Sequence, residues 1–592
     1  MSNSIENIPI HYIAGQFFPE ADKLLGGKKN RLQIDEIKGF GDWDLYEDFF
    51  STKLERGSKE YNALILKYWK QVLGIVEKLG SYIENNNIKL LYLINTNSNP
   101  GNVSLALATV LVSEYLGIPV INNNHDFYWE GGNRKIDIET RKIKEGPRDF
   151  FYTNSDIGEF FSQIDVLFPW ESRTWMNVNI NQNQCDELIE VKGHNPANIA
   201  QIGTAIDITN YMNITKREKL EAFKQFEKIF SRYEETLVSY SVNDAIEHNL
   251  IDLNNLKPIL LGNKTKSISK FLAENIIFLQ PTRIVSRKRI GTGFRLIQKL
   301  LNNPQFVSKF TETKHFKLTL LVTGPIPTGQ FNYFENLLKK FADLLASIKP
   351  EYREKIFLGF LFSELDKKSF KSHFEQPIAI PELYNIASLI ILGSKTEGRG
   401  LPIIEAAAGG IPIFCTRYDP EHVYAEVIGE HLPEEDRLKV IEFDGVNISP
   451  FHVSQIVDRI FFPNKFIEEI KHNKKVVLNR YSIDNLKENL FNIIYRLYFQ
   501  LKDNTNSMKM VKKVMAEYSV INNFSNEDLE SIINTKNRHF LPGYGRLKFL
   551  GYLKSLIDPS FFRLEFQNIR GIAMDFANDL IESNPQNRNF SN

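Results

Sequence analysis

The sequence predicts an α/β protein built from two doubly wound, parallel-sheet domains. Three observations carry this. Short apolar runs alternate with segments of helical spacing through the first 210 residues. That rhythm breaks between about 211 and 265, where charged helical residues such as "KREKLEAFKQFEKIF" stand. It then restarts and runs to about 482.

Taken in order, "IPIHYIAGQF" (Ile8–Phe17) reads as a first strand, and Gly26 and Gly27 follow in a polar loop. "YNALILKYWKQVLGIVEKLGSYI" (Tyr61–Ile83) spaces its apolar residues as one helix face. "IKLLYLIN" (Ile88–Asn95) suits a buried parallel strand, and "SNPGN" (Ser98–Asn102) turns it into the helix 103–117. "IPVINNNHDFYWEGG" (Ile118–Gly132) reads as strand then loop. "IDVLFPW" (Ile164–Trp170) and "NVNIN" (Asn177–Asn181) read as strands, and "NIAQIGTAIDI" (Asn198–Ile208) closes the unit. In the second half, "NIIFLQPTRIV", "KLTLLVTG", "KIFLGFLF", "ASLIILGSKTEG" and "GIPIFCTRY" are strand-and-loop units separated by helices. "IDNLKENLFNIIYRLYFQLK" (Ile483–Lys502) is a strong amphipathic helix. The remaining 506–592 mixes helical pattern with aromatic and basic loops and reads as a C-terminal extension.

Bulk composition narrows the function. Lysine plus arginine equals aspartate plus glutamate, 72 each, which argues against a globally basic nucleic-acid binder. Two cysteines, Cys185 and Cys415, make neither a disulfide framework nor a zinc-ligand spacing and suit a reducing compartment. No run approaches the roughly 18 to 20 apolar residues that span a bilayer, and the N-terminus lacks a signal peptide's pattern. A cytoplasmic location is expected, with room for peripheral membrane contact.

The most informative stretch is "GSKTEGRGLPIIEAAAGGIPI" (Gly393–Ile413). An apolar strand feeds a glycine-punctuated loop, and a helix begins near Pro402. Gly398 and Gly400 let backbone approach a ligand closely, and the helix start offers free N–H groups. Glu397 in the loop can accept hydrogen bonds from sugar hydroxyls. Glu405, a turn into the helix, can hold the vicinal hydroxyls of a ribose. The plainer reading is that Glu405 complements the helix dipole and Glu397 is solvated.

"EGRGLPIIEAAAGGIPI" resembles the E-x7-E signature of retaining GT-B glycosyltransferases, of the glycosyltransferase family 4 type. The resemblance implies two Rossmann-like domains facing a cleft: 1–210 on the acceptor side and 266–482 on the nucleotide-sugar side. A helical insertion at 211–265 lies between them, and an amphipathic helix at 483–505 crosses back. It gives Glu397 the transferred sugar and Glu405 the ribose, with Gly398, Arg399, Gly400 and Leu401 completing the donor loop. "QPTRIVSRKRIG" (Gln280–Gly291) resembles the family's G-R-x-x-x-x-K segment, so Arg283 and Lys288 would grip the diphosphate, although Pro281-Thr282 replaces the usual glycine. His125 inherits the place of the active-site histidine, and Gly26-Gly27 resembles the family's glycine pair, whose N–H groups approach donor phosphate or acceptor; beside the resemblance, Asp126 would orient His125 or bind the acceptor, and Asn99 is a further candidate acceptor residue. Arg399 or Arg417 would suit an anionic acceptor.

What the resemblance implies is retaining transfer of a hexose from a UDP- or GDP-sugar to a saccharide, small molecule or lipid-linked glycan. No cofactor is expected beyond that donor. No aspartate-x-aspartate motif stands in a setting that suggests metal binding. A GT-B phosphorylase or disaccharide synthase, and an inactive GT-B scaffold used for binding, are the alternatives.

Overall fold

A computed structural model describes residues 9–128, 168–231, 258–361 and 378–498, apart from short gaps within 19–29, 40–57, 263–267 and at 117, 172–173 and 328–329. The expectations for Gly26, Gly27, residues 131–151, the strand portion 164–167 and the extension 506–592 lie outside the described residues. The chain divides into two compact units. The first holds residues up to Ile202 and the described residues from Asn489 onward; the second is Gly203–Glu488.

Unit 1 is built on a four-stranded parallel sheet, β3 (Leu91–Ile94), β4 (Val120–Asn124), β5 (Trp175–Asn179) and β6 (Ile199–Gln201), in that spatial order. The expected first strand is shorter than its apolar run. β1 (Tyr12–Ala14) pairs in parallel with β2 (Arg31–Gln33) in a separate two-stranded sheet. Helix α1 (Lys59–Asn85) starts where Ser58 accepts a hydrogen bond from the Tyr61 N–H. Tyr61, Leu64, Tyr68, Val72, Ile75, Leu79 and Ile83 form a buried stripe, at the three-and-four spacing a helix face requires. Each such burial contributes about 1.5–3 kcal/mol. Helix α2 (Val103–Leu116) is apolar nearly all round, and it packs against α1.

The asparagine run in β4 is strand rather than loop. Asn122 stands opposite Asn177 and Asn124 opposite Asn179 on β5. Asn122 Nδ2 donates to Asn177 Oδ1 (2.8 Å), and Asn124 Nδ2 donates to Asn179 Oδ1 (2.9 Å). Side-chain amides that pair across the ladder can be buried at modest cost, so the strand extends to the residue before His125.

Unit 2 is a seven-stranded sheet in the order β13-β12-β11-β8-β9-β10-β7. The strands are β7 (Ile259–Leu261), β8 (Asn275–Gln280), β9 (Lys317–Val322), β10 (Ile356–Phe360), β11 (Leu389–Leu392), β12 (Ile413–Thr416) and β13 (Ile441–Phe443). All neighbours are parallel except the β7–β10 pair. Successive side chains bury on opposite faces. Ile277, Leu279, Ile390 and Leu392 join one core with α3 (Lys216–Ser231), α7 (Ile380–Ile386), α8 (Leu401–Gly409) and α11 (Ile467–Tyr481). Ile276, Phe278, Leu389 and Ile391 join the other with α4 (Gly291–Leu301), α6 (Phe331–Ser347) and α10 (Pro450–Phe461).

One boundary differs from the sequence expectation. The segment 211–265 is integral to unit 2 where it is described. α3 buries Phe223, Phe226 and Phe230, and β7 adds an edge strand to the sheet. A high surface charge made α3 read as an insertion, but its apolar stripe is core. At the other end, helix α12 (483–498) carries the chain into unit 1. There Arg496 donates to the carbonyls of Ile199 (3.0 Å) and Pro196 (3.0 Å). Beside its start, Ile206 N–H donates to Tyr481 O (2.9 Å) and Ile206 bridges Ser482, so the two chain segments that leave unit 2 run side by side.

Candidate active site

In the unit 2 sheet the chain runs β8, β9, β10 toward one edge, then returns to lay β11, β12 and β13 on the other side of β8. The switch point lies between β8 and β11. Ligands of open parallel sheets bind beyond the strand ends at such a point, where adjacent loops part in opposite directions. The loops following these two strands carry Arg283, Lys288 and Glu397.

The loop after β8 is short and tightly tied. Gly324, after β9, donates its N–H to Thr282 O (3.1 Å), and Ile284 N–H donates to Pro325 O (2.8 Å). A Cβ at Gly324 would stand 2.5 Å from the Thr282 carbonyl oxygen and the Arg283 nitrogen. Gly324 of the neighbouring loop thus packs its backbone directly against Thr282–Arg283. A 3-10 turn, Ser286–Lys288, follows.

The loop after β11 is stitched on both sides. Lys395 N–H donates to Arg287 O (2.7 Å), Glu397 N–H to Asp419 O (3.1 Å), and Arg287 Nη1 to Thr396 O (3.1 Å). These bonds bring Lys288 Nζ onto Glu397 Oε1. Both side chains are almost buried, at 12% and 10% exposure, so the pair is weakly screened. Burial pulls the Lys288 ammonium below the ordinary lysine range, and the Glu397 carboxylate opposes that shift. Arg283 is half-buried and close enough for its charge to act on Lys288. Its guanidinium has no hydrogen-bond or ion-pair partner among the described residues.

Gly400 adopts a left-handed backbone (φ +59°), and a Cβ there would collide with the buried Tyr418 hydroxyl. Gly398 is exposed, with nothing near the place of a Cβ. Arg399 is half-buried, and Leu401 and Pro402 open α8. Glu405 lies in the second turn, beyond the helix start. Its Oε1 accepts from the Tyr211 hydroxyl (3.0 Å) and its Oε2 from the Tyr384 hydroxyl (2.6 Å). The two tyrosine rings meet edge to face at 5.4 Å. Burial raises the Glu405 carboxyl above its ordinary range, and the two hydroxyls act against the rise. Both carboxylate oxygens therefore carry a protein donor, where the resemblance leaves them to a ribose. The expectation for Arg417 is corrected. Its guanidinium makes a fork to Glu430 (2.7 and 2.9 Å), with Glu442 beyond, and is not directed to an anionic acceptor.

In unit 1, His125 and Asp126 follow β4 directly and are half-buried. Asn95, at the end of β3 with φ 53°, accepts both their N–H groups on Oδ1 (2.7 and 3.1 Å). Gln184 Nε2 donates to His125 O (3.2 Å). Asn99 N–H donates to Asn95 O (3.3 Å). His125, Asp126 and Asn99 are thus gathered around one asparagine. Asn95, Tyr211 and Tyr384 were not singled out from the sequence. Asn95 had a readable signal, an asparagine after an apolar strand, because asparagine tolerates the left-handed region. The tyrosines had none, being distant in sequence from Glu405.

Residues 265–434 match the family of glycosyl transferases group 1. The group 1 segment spans both candidate loops of unit 2, from Arg283 to Glu405. Together with two Rossmann-like units in one chain, it establishes the GT-B fold class. No curated protein matches the chain. Among solved structures, a glycosyltransferase from Rickettsia africae is 12% identical, covering 82% of this chain and 90% of its own, with a TM-score of 0.43. Anabaena HepE in complex with UDP and glucose is 13% identical, covering 72% and 81%, at 0.41. A UDP-forming α,α-trehalose-phosphate synthase from Burkholderia vietnamiensis is 10% identical, covering 82% and 96%, at 0.39. No described helix is long and apolar enough to cross a membrane.

Proposed function

We propose that this chain is a retaining, metal-independent hexosyltransferase that uses a nucleoside diphosphate sugar. One observation carries the reading: Arg283, without a side-chain partner among the described residues, stands beside a nearly buried Lys288–Glu397 pair at the switch point of a parallel sheet within the group 1 segment. Two cations there suit a diphosphate, whose charge grows as it leaves. A carboxylate held beside them suits the hydroxyls of the sugar being transferred.

In this mechanism the bond from sugar C1 to the diphosphate oxygen breaks and the diphosphate keeps the electron pair. The acceptor hydroxyl oxygen forms its bond to C1 on the same face. The acceptor's proton passes to the departing phosphate oxygen. Arg283 and Lys288 stabilise the diphosphate, and Glu397 orients the sugar. The donor loop of Gly398, Arg399, Gly400 and Leu401 lies along the same ligand. Glu405 supports the ribose side through Tyr211 and Tyr384. The resemblance adds His125, and Asp126 and Asn99 stand beside it as candidate acceptor residues; replacement of each should lower turnover.

The test is release of nucleoside diphosphate from a panel of UDP-, GDP- and ADP-sugars, with EDTA present and candidate acceptors added. One donor should turn over, and the product anomer should match that of the donor. Arg283→Ala and Glu397→Gln should each lower the rate by about 10²-fold or more. An inverted product would overturn retention. Turnover only with added divalent metal would overturn metal independence. Phosphate acting as the acceptor would redirect the reading to a phosphorylase.

A further inference from the structure

Three consecutive cations, Arg287, Lys288 and Arg289, diverge. Arg287 reaches Thr396 O and Lys288 reaches Glu397. Arg289 adopts a left-handed backbone (φ 44°) and lines a different groove, between α4, α6 and the turn after β13. This groove has a volume of about 600 Å³, within the range of small-molecule sites. Arg283, Lys288, Glu397 and Glu405 do not line it.

Its described charged lining is Arg289, Arg295, Lys340 and Asp343, so cations outnumber acids by three to one. Arg295 is fixed in place. Its Nη1 donates to Val446 O (2.7 Å), and its Nη2 donates to Gly445 O (3.1 Å) and Thr292 Oγ1 (3.3 Å). Arg289 and Lys340 have no side-chain hydrogen-bond or ion-pair partner among the described residues. Gly445 makes room for Arg289, since a Cβ there would stand 2.8 Å from Arg289 Nη1. Tyr333 accepts the Ile290 N–H on its hydroxyl oxygen (3.1 Å) and retains its own proton to donate.

Backbone strain at Arg289 sharpens the point. The left-handed region suits glycine, and an arginine held there is strained by its Cβ. Strain of this kind persists where the surroundings hold it, and it clusters at ligand sites. Here it carries a guanidinium into a cationic groove.

We propose that this groove is a second ligand site, which shares the turn after β8 with the donor site but is lined by none of Arg283, Lys288, Glu397 and Glu405, and that it binds a phosphate monoester. The phosphate sits on Arg289, Arg295 and Lys340, and Tyr333 donates to it. Asp343 is available to a hydroxyl on the remainder of the ligand. The shared chemistry is a dianionic phosphate, carried on a sugar or free.

The test is calorimetry on the full chain with glucose 6-phosphate, inorganic phosphate and glucose. Wild type should bind glucose 6-phosphate or phosphate, and glucose alone should not bind. Arg289→Gly, which also relieves the backbone strain, and Lys340→Ala should each weaken binding about tenfold or more, with nucleotide binding unchanged. Added salt should weaken it further. Tighter binding of glucose 6-phosphate identifies a sugar phosphate, and equal binding identifies free phosphate. The proposal is overturned if neither anion binds. It is also overturned if both variants bind as wild type does, or if Arg283→Ala alone removes binding, which would put the anion in the donor loops.

Discussion

Burial shifts the protonation of Lys288 and Glu405 in opposite senses. Lys288 loses its proton below the ordinary lysine range. A diphosphate needs the ammonium, so nucleotide affinity should fall as pH rises through that lowered value. Lys288→Arg should move the fall to higher pH, because a guanidinium stays charged; calorimetry across alkaline pH reads this. Glu405 holds its proton more tightly folded than unfolded. Its contribution to stability is therefore complete below the unfolded pKa and is lost as pH rises through the folded one. Glu405→Gln should cost more stability at about pH 4 than at about pH 7, as denaturant melts at the two pH values will show. Gly324 is the third residue to change. Its missing Cβ is what lets the Thr282–Arg283 backbone close on β9. Gly324→Ala should destabilise unit 2 by about 1–3 kcal/mol and displace Arg283, weakening nucleotide binding beyond the loss in stability.

At the level of elements, α12 buries Ile493 and Leu497 and carries one arginine that bonds to unit 1 backbone. Arg496 ties it to the carbonyls at 196–199. Arg496→Ala should raise amide exchange in 483–498 and around β6 while leaving β8 and β11 protected. Most elements could be read from the sequence, because parallel strands buried on both faces are continuous apolar runs, as in "NIIFLQ" and "LIIL". α1 was legible for the complementary reason, a strict helical stripe. Other features were less legible. β4 hides its last three residues as asparagines, since the amide pairing with β5 that permits burial is a long-range fact. β7 is three residues long and takes its identity from an antiparallel partner, β10, far along the chain. α3 was legible as a helix but not as core, because its charged face dominates its composition.

Across the whole molecule, the same division holds between local and distant information. The loop carrying Glu397 and the turn carrying Arg283 and Lys288 are each local in sequence, and each could be singled out there. Their meeting depends on β8 and β11 being neighbours at the sheet's switch point, which the sequence order does not state. The Tyr211 and Tyr384 bonds to Glu405 depend on the fold in the same way. The central claim is that Arg283 and Lys288 hold the diphosphate of a nucleotide sugar. The most direct measurement is a calorimetric titration of the full chain with UDP, GDP and ADP, in wild type and Arg283→Ala. The account predicts that one nucleotide binds and that the variant binds it about tenfold more weakly or worse. Absence of binding to all three, or identical affinity in the variant, would contradict it.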